Sequence, residues 1–274
     1  MTGKKMSAFE AMSQAQMIAF YPIVFQAIIA AKRLGILEFL NKNKGYNKIE
    51  DISKGTSISK YGIKVLLDML CKVQVSERNE DDQFALGSVG FFILQDKQAS
   101  INLDFVQDVC YKGAYHLTES IKQEKPIGLQ EIGDWDTLYE GLSELPPQVS
   151  KSWFDFDHFY SDAIFYNSLD IVFSSSPNKI MDIGGNTGKF IIKACKYNKD
   201  VKVTIVDLNK QLIAAEKSIR TYGFIDRVSF VEQNMLSENI DLPKNNDVIW
   251  MSQFLDCFSE KEVEHILNKL TKVA

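Results

Sequence analysis

Apolar residues recur mostly at three- and four-residue steps between residues 9 and 31. The series runs through Phe9, Met12, Met17, Phe20, Val24, Ile28 and Ala31. This period predicts a long helix over residues 8–34, which Pro22 should kink or divide in two. Gly35 fits the end of that helix, and a short helix over residues 36–41 follows.

The apolar stretch of residues 17–31 could also be a membrane span or a signal peptide. It is 15 residues long and contains Pro22 and Gln26, which is short of the roughly 20 apolar residues that a spanning helix needs. Sixteen mixed residues, including Glu10, precede it, unlike the short basic start of a signal peptide. We therefore expect a buried core helix, no membrane partner and no export.

The next segment has the order of a winged helix. Short helices are expected over residues 49–54 and 60–73, and two short alternating runs around residues 79–82 predict a β-hairpin. A winged helix suggests DNA binding, but Asp68 sits among the lysines of the second helix. The expected hairpin carries four carboxylates, Glu77, Glu80, Asp81 and Asp82. Phosphates would be repelled there, so we expect an oligomerisation role and no nucleic-acid partner.

Residues 101–174 read as helical and are rich in aromatic side chains, which would form either plain core or one wall of an apolar pocket. From residue 178 strands and helices alternate. Strands are expected at 179–183, 201–206, 228–232 and 247–252, and helices at 189–198, 211–222 and 260–273. Such alternation predicts a parallel sheet with helices packed on it.

Composition narrows the class of protein. The chain has 274 residues, 45% hydrophobic and 24% charged, with a net charge of −5, which is typical of a globular protein without bulk attraction to nucleic acid or anionic lipid. The four cysteines, Cys71, Cys110, Cys195 and Cys257, have no CxxC spacing. We expect no metal site and no disulfide, and a reducing, cytoplasmic compartment.

The motif Met181–Gly188, MDIGGNTG, lies where an apolar strand meets a helix. Glycines there let a ligand approach the main chain, and the helix start offers unpaired N–H groups. Asp207, at the end of the next strand, is placed to accept hydrogen bonds from a ribose diol. A nicotinamide site would need glycine at position 183, which is isoleucine. Asp182 is unfavourable beside a pyrophosphate but suits a cation, which favours S-adenosylmethionine.

At these residues the chain resembles the class I S-adenosylmethionine-dependent methyltransferases. More narrowly, it is similar to the O-methyltransferase family of the caffeate and hydroxyindole type, which has an N-terminal winged-helix dimerisation domain. The segments that carry the resemblance are MDIGGNTGKF, TIVDL, GFIDRVSFVEQNML and DVIWMSQFLDCFSEKEVEHIL. The resemblance implies a dimerisation domain over residues 1–100, a helical linker and substrate-pocket region over 101–174, and an S-adenosylmethionine-binding Rossmann-like domain over 175–274. A homodimer through the first domain would follow.

The resemblance also implies site residues. The loop residues Asp182, Gly184, Gly185 and Gly188 would hold the methionine part of the cofactor, and Asp207 would bind its ribose. Asn234 falls where the family has an acid that meets the adenine amino group, with Met235 packing on the ring; Asn234 could equally be a turn residue.

Where the family has a histidine general base, this chain has Asp256. An ordinary aspartate is a poor proton acceptor from a phenol. Burial could raise the pKa of Asp256, the substrate could be acidic already, or the base could be lost. His158 could reach the pocket instead, and His265 is expected to be a surface or packing residue.

The expected function is methyl transfer from S-adenosylmethionine to a small aromatic or hydroxylated metabolite, with an inactive cofactor-binding protein and a nicotinamide oxidoreductase as alternatives. The family's sheet has seven strands and only four are recognisable here, so we expect an incomplete sheet and a chain that is part of a longer one.

Overall fold

The computed structural model describes residues 6–273, which form two compact units, one ending at Gln107 and the other beginning at Asp108. The elements of the first unit are α1 (Ala8–Arg33), α2 (Ile36–Lys42), α3 (Ile49–Thr56), α4 (Lys60–Cys71), β1 (Ser76–Arg78), β2 (Phe84–Leu86), α5 (Ser88–Gln95) and α6 (Lys97–Phe105). The predicted helices and hairpin of this part of the chain are all present.

Helix α1 begins at a capping box, in which Ser7 and Glu10 satisfy each other's main-chain N–H groups. It continues through Pro22 as one helix, so a division at the proline is wrong, and the alternative of a kink there stays a prediction. The helix ends at Leu34, and Gly35 follows at φ +73°, the left-handed conformation that a helix end favours.

The expectation that α1 is a buried core helix is wrong for most of its length. Ala27, Ile29 and Ala31 are buried, whereas Phe9 is 74% and Phe20 61% exposed. The reason is that the buried cluster of this unit, which joins α1 to α2 and α4, includes α1 only from Ala27 onward. Of the helices in residues 6–273, α1 is also the one long and apolar enough to cross a membrane by length and composition, which is weak evidence because a signal sequence or a core helix passes the same test.

Helices α3 and α4 are followed by the antiparallel hairpin β1–β2. Charged side chains on this surface are paired with each other. The Nζ atom of Lys60 lies 2.7 Å from Glu50, and Arg78 lies 3.0 Å from Asp68. These pairs neutralise much of the basic character that a phosphate backbone would need.

The second unit contains a parallel sheet. Its helices and strands are α7 (Leu117–Gln123), α8 (Leu138–Gly141), α9 (Pro147–Val172), β3 (Lys179–Ile183), α10 (Lys189–Tyr197), β4 (Lys202–Asp207), α11 (Asn209–Thr221), β5 (Val228–Glu232), β6 (Val248–Met251) and α12 (Glu260–Leu270). The strands are ordered β5-β4-β3-β6 and all neighbours are parallel. The prediction of a Rossmann-like sheet with four strands is confirmed.

Alternate residues of β3 face opposite sides of the sheet. Ile180 belongs to a buried cluster with α9, α10 and α11, while Met181 and Ile183 belong to a cluster with α12. Since side chains alternate along a strand, Asp182 faces the same side as Ile180. Strand β3 is also where the strand order reverses, because β4 and β6 lie on its two sides. In such sheets ligands bind at the carboxyl ends of the strands beside this reversal.

Candidate functional site

The loop after β3 has glycine at positions where a larger side chain would be strained or would collide with its neighbours. Gly184 has φ +72° and Gly188 has φ +73°, and Gly188 begins α10. A Cβ atom on Gly185 would lie 2.8 Å from Ile205 Cγ2 and 2.9 Å from Asp182 Oδ2. The glycines therefore serve two needs, a left-handed turn and close packing against β3 and β4.

Asp182, beneath this loop, is a buried carboxylate that lacks a partner. It is 2% exposed, and its Oδ2 atom accepts no hydrogen bond within the described residues. Burial raises its pKa well above the usual value, and the nearby charge of Asp207 raises it further. The Oγ1 of Thr187 in the same loop is likewise buried without a partner. A cationic hydrogen-bond donor would satisfy this carboxylate.

Asp207 ends β4 and faces the same loop. Its Oδ2 accepts the main-chain N–H of Asn186 at 2.9 Å, and its Oδ1 accepts that of Leu208 at 2.7 Å. Burial raises the pKa of Asp207 to about 6, although these two hydrogen bonds act in the opposite direction. Each carboxylate oxygen retains a further lone pair, so the side chain can accept two more hydrogen bonds, the number that a ribose diol donates.

Two adjoining cavities flank the loop. The first cavity is lined by Asp182 and Thr187 together with Ser161 and His158 of α9. The second cavity is lined by Asp207 and Gln211, and by three aromatic side chains, Tyr139, Trp153 and Phe254. The residues that line both are Asp157, Gly184, Asn186, Ser252 and Gln253. The structure therefore brings the predicted residues Asp182, Gly184, Gly185 and Asp207 together at one site, and Gly188 begins the helix beside it.

Asn234 and Met235 line neither cavity. The Oδ1 atom of Asn234 accepts the N–H of Leu236 at 2.9 Å, which is the turn role considered from the sequence. Met235 is fully buried in the cluster with Met181 and Val206. Their contact with an adenine ring stays a prediction.

Asp256 is exposed on a turn after β6 and lines a third cavity with Trp135, Phe258 and Glu262. That cavity meets the second one at Cys257, which lines both. Burial raises the pKa of the Cys257 thiol to about 12, with the charge of Asp256 adding to the shift. The thiol is therefore protonated near neutral pH.

The two histidines considered from the sequence, His158 and His265, lie in different surroundings. His158 stacks on Phe154 with 5.9 Å between ring centroids and lines the first cavity; burial and the charge of Lys189 lower its pKa. His265 is exposed on α12.

The aromatic stretch supplies both core and cavity wall. Tyr139 and Phe165 are buried, Trp153 lines the second cavity, and Tyr115 is 90% exposed. On the opposite side of the first cavity, Trp250 of β6 stacks on Phe190 of α10 with 4.2 Å between centroids and 8° between ring planes.

Sequence reasoning missed Asp157 and Gln253. Asp157 is half-buried on α9, and Gln253 follows β6 in the left-handed conformation at φ +49°. In the amide orientation that satisfies its surroundings, the Gln253 nitrogen donates to Asp157 Oδ1 at 2.8 Å. The sequence signal that could have found Asp157 is its position inside the aromatic run FDFDHFY. A carboxylate among residues expected to be buried requires a polar or cationic partner.

Two family models match the chain. Residues 13–84 match a Dimerisation2-like domain, and residues 181–274 match a methyltransferase domain. The second match begins one residue before Asp182 and covers the glycine loop and the sheet.

Known proteins of this kind are similar along most of the chain. An L-tyrosine C(3)-methyltransferase from Streptomyces lavendulae is 23% identical over 92% of this chain and 69% of its own length. A 3-hydroxy-5-methyl-1-naphthoate 3-O-methyltransferase from Streptomyces sahachiroi is 27% identical over 57% of this chain and 43% of its own length. The crystal structure of the O-methyltransferase NcsB1 from neocarzinostatin biosynthesis, in complex with S-adenosylmethionine and 2-hydroxy-5-methyl naphthoic acid, has the same fold. It aligns with a TM-score of 0.70 and 18% identity over 91% of this chain and 76% of that chain.

The residues of the site fit S-adenosylmethionine. The unpartnered Asp182 carboxylate offers an acceptor to an ammonium group, Asp207 offers acceptors to a ribose diol, and Gly184 and Gly185 have no side chain that would keep a ligand from the backbone of the loop. These properties differ from those of a phosphate-binding nicotinamide site, and the match to a methyltransferase domain agrees with S-adenosylmethionine. The chain carries a Dimerisation2-like domain over residues 13–84 and a methyltransferase domain over residues 181–274, and its cofactor is S-adenosylmethionine.

Proposed function

We propose that this protein transfers a methyl group from S-adenosylmethionine to a hydroxyl oxygen of a small aromatic acceptor. The observation that carries the proposal is the pair of buried carboxylates, Asp182 and Asp207, on the two sides of the glycine loop. An acceptor would occupy the third cavity, whose aromatic members Trp135 and Phe258 suit a planar ring and which adjoins the second cavity at Cys257.

The names of the relatives support an aromatic acceptor. One methylates the oxygen of a hydroxynaphthoate and the other methylates a ring carbon of tyrosine, and both acceptors carry a hydroxyl group on an aromatic ring. Carbon methylation is the second candidate, because the tyrosine enzyme aligns along more of this chain.

We assign the methionine part of the cofactor to Asp182, Gly184, Gly185 and Gly188, and the ribose to Asp207. When bound, S-adenosylmethionine supplies an electrophilic methyl group on a positively charged sulfur. The chain contributes binding, orientation and exclusion of water: the glycine loop fixes the amino-acid part and the aromatic wall of the second cavity excludes solvent. Asp256, at the edge of the third cavity, accepts the hydroxyl proton in this proposal. Because Asp256 is exposed rather than buried, this role calls for the alternative of an acceptor whose hydroxyl is already acidic.

The proposal includes a cytoplasmic homodimer held by the Dimerisation2-like domain. The exposed apolar side chains of α1, Phe9, Met12, Ile18, Phe20, Tyr21 and Ile23, supply a surface that a second copy would cover. The winged-helix description of this domain stays a prediction.

The experiment is a transfer assay with purified protein, S-adenosylmethionine and a panel of phenols that includes a hydroxynaphthoate, tyrosine and tyramine. Nuclear magnetic resonance of the product separates O-methyl from C-methyl groups. An O-methyl product supports the proposal and a C-methyl product replaces it with the second candidate. Binding of S-adenosylmethionine with no transfer to any acceptor would instead favour a binding protein without turnover.

A further inference from the structure

The two cavities beside the glycine loop share a boundary. The first holds the Asp182 carboxylate and the second holds the Asp207 carboxylate. With the assignments above, the amino-acid end of the cofactor lies in the first cavity and the ribose in the second. The atom that joins these two parts of S-adenosylmethionine is its positively charged sulfur, which must therefore lie at the boundary.

Five residues line both cavities and so surround that boundary: Asp157, Gly184, Asn186, Ser252 and Gln253. Asp157 is the one ionisable side chain among these five. It lies on α9, the helix that packs against the loop's own helix α10, and it is half-buried.

The carboxylate of Asp157 is held in place by neighbours. The side-chain nitrogen of Gln253 donates to its Oδ1 at 2.8 Å and to its main-chain oxygen at 3.2 Å. The Nδ1 atom of His158 lies 3.7 Å from its Oδ2. A carboxylate that lines both cavities and has one oxygen fixed by an amide is oriented before any ligand binds.

The surroundings of Asp157 leave its negative charge incompletely compensated. Burial raises its pKa to about 6, and the charges of Asp256 and Asp162 add to this. Lys189 acts in the opposite direction, but its Nζ is engaged with Asp162 Oδ2 at 3.0 Å. A cation at the boundary would stabilise the ionised form.

We propose that Asp157 recognises the sulfonium charge of S-adenosylmethionine and so makes the site prefer this cofactor over its neutral thioether product, S-adenosylhomocysteine. The proposal deepens the proposed function and rests on its assignment of Asp182 and Asp207. The ammonium and ribose groups are common to both molecules, so these two aspartates bind both. The two molecules differ at the sulfur, in its charge and its methyl group, and a carboxylate beside the sulfur acts on the charge.

The test is calorimetric binding of S-adenosylmethionine and of S-adenosylhomocysteine to the full chain and to Asp157→Asn, which keeps an oxygen for Gln253. We expect the variant to weaken binding of S-adenosylmethionine about five- to tenfold and to change binding of the thioether less than twofold. Asp155→Asn, an exposed residue on the same helix, is the matched control and should change neither.

An equal loss for both molecules, or no loss for either, would overturn the proposal while leaving the proposed function standing. If the unchanged protein binds neither molecule, the proposed function itself fails, and the two failures are thereby distinguished.

A second measurement follows the pH. The ratio of the two affinities of the unchanged protein should fall toward one as the pH is lowered from 7.5 to 5, because protonation of Asp157 removes its charge. Asp207 titrates in the same range, but its contact with the ribose is common to both molecules and cancels in the ratio. His158 lies 3.7 Å from Asp157 and gains a charge as the pH falls, so the same titration of Asp157→Asn, in which only His158 remains, gives the share that belongs to Asp157. A ratio that does not change with pH contradicts the role assigned to Asp157.

Discussion

The Asp207 carboxylate joins the end of β4 to the glycine loop, since its Oδ2 accepts the main-chain N–H of Asn186 at 2.9 Å. One side chain thus both holds the loop and faces the second cavity. Replacing Asp207 by alanine should weaken binding of S-adenosylmethionine about tenfold to a hundredfold, which corresponds to the loss of hydrogen bonds to a charged group. Calorimetric titration measures this, with the exposed Asp226→Ala as control; equal affinities in the two variants would refute a ribose contact.

The buried Asp182 carboxylate should lower the stability of the cofactor-free protein while it contributes to cofactor binding. Its pKa is raised in the folded protein, so the stability of the cofactor-free protein should fall as the pH rises from the carboxyl's unfolded pKa toward its folded pKa. Asp182→Asn removes that loss. We expect it to raise the free energy of unfolding at pH 7.5 by about 1 kcal/mol, with no gain at pH 4, and to weaken cofactor binding.

Urea unfolding at the two pH values measures the effect of Asp182→Asn. Asp247→Asn is a control of opposite sign. The pKa of Asp247 is lowered by the main-chain N–H groups of Lys179 and Asn178, so its stabilisation is present near neutral pH and lost as the pH falls through its folded pKa. A gain in stability for Asp182→Asn at pH 4 as large as at pH 7.5 would exclude a charge effect.

Gly185 tests how closely the loop is packed. Gly185→Ala places a Cβ atom 2.8 Å from Ile205 and 2.9 Å from Asp182, and we expect destabilisation of about 1–3 kcal/mol together with loss of cofactor binding. Gly62→Ala on α4 is the comparison, because a Cβ atom there meets its nearest neighbour at 3.3 Å. Thermal unfolding and calorimetry suffice, and normal affinity in Gly185→Ala would show that the loop can move aside.

The apolar surface of α1 predicts the oligomeric state. Phe20 is 61% exposed on that surface. Phe20→Glu should convert a dimer to a monomer in sedimentation experiments, since a charge buried in an apolar interface is destabilising. Tyr115→Glu, which alters a 90% exposed residue of the second unit, should leave the dimer intact. A monomeric unchanged protein, or a dimeric Phe20→Glu variant, would contradict this interface.

Replacing Asp256 should change the turnover rate without changing the affinity for S-adenosylmethionine. Asp256→Asn should lower kcat about 100-fold or more, the usual effect of losing a general base, while the affinity for S-adenosylmethionine stays within twofold. Asp134→Asn, another exposed carboxylate of the third cavity, should preserve both. Unchanged turnover in Asp256→Asn would remove this residue from the mechanism.

The sheet could be predicted from sequence more accurately than the site. Strands β3 and β5 have the predicted bounds, because each is a short, mainly apolar segment that ends at a polar residue or a glycine. The exposure of α1 could not be predicted, since periodicity identifies an apolar face without identifying what covers it. Asp157 was missed for a similar reason. Its role depends on α9 passing beside the end of β6, a contact between residues 96 positions apart that no local pattern records.

The placement of the aromatic side chains has an experimental consequence. The chain has three tryptophans, and each lines a different cavity: Trp250 the first, Trp153 the second and Trp135 the third. Indole fluorescence depends on local polarity and contacts, so three variants that each retain a single tryptophan would report separately on the first, the second and the third cavity. The protein thus carries an optical reporter for each of these cavities without any label.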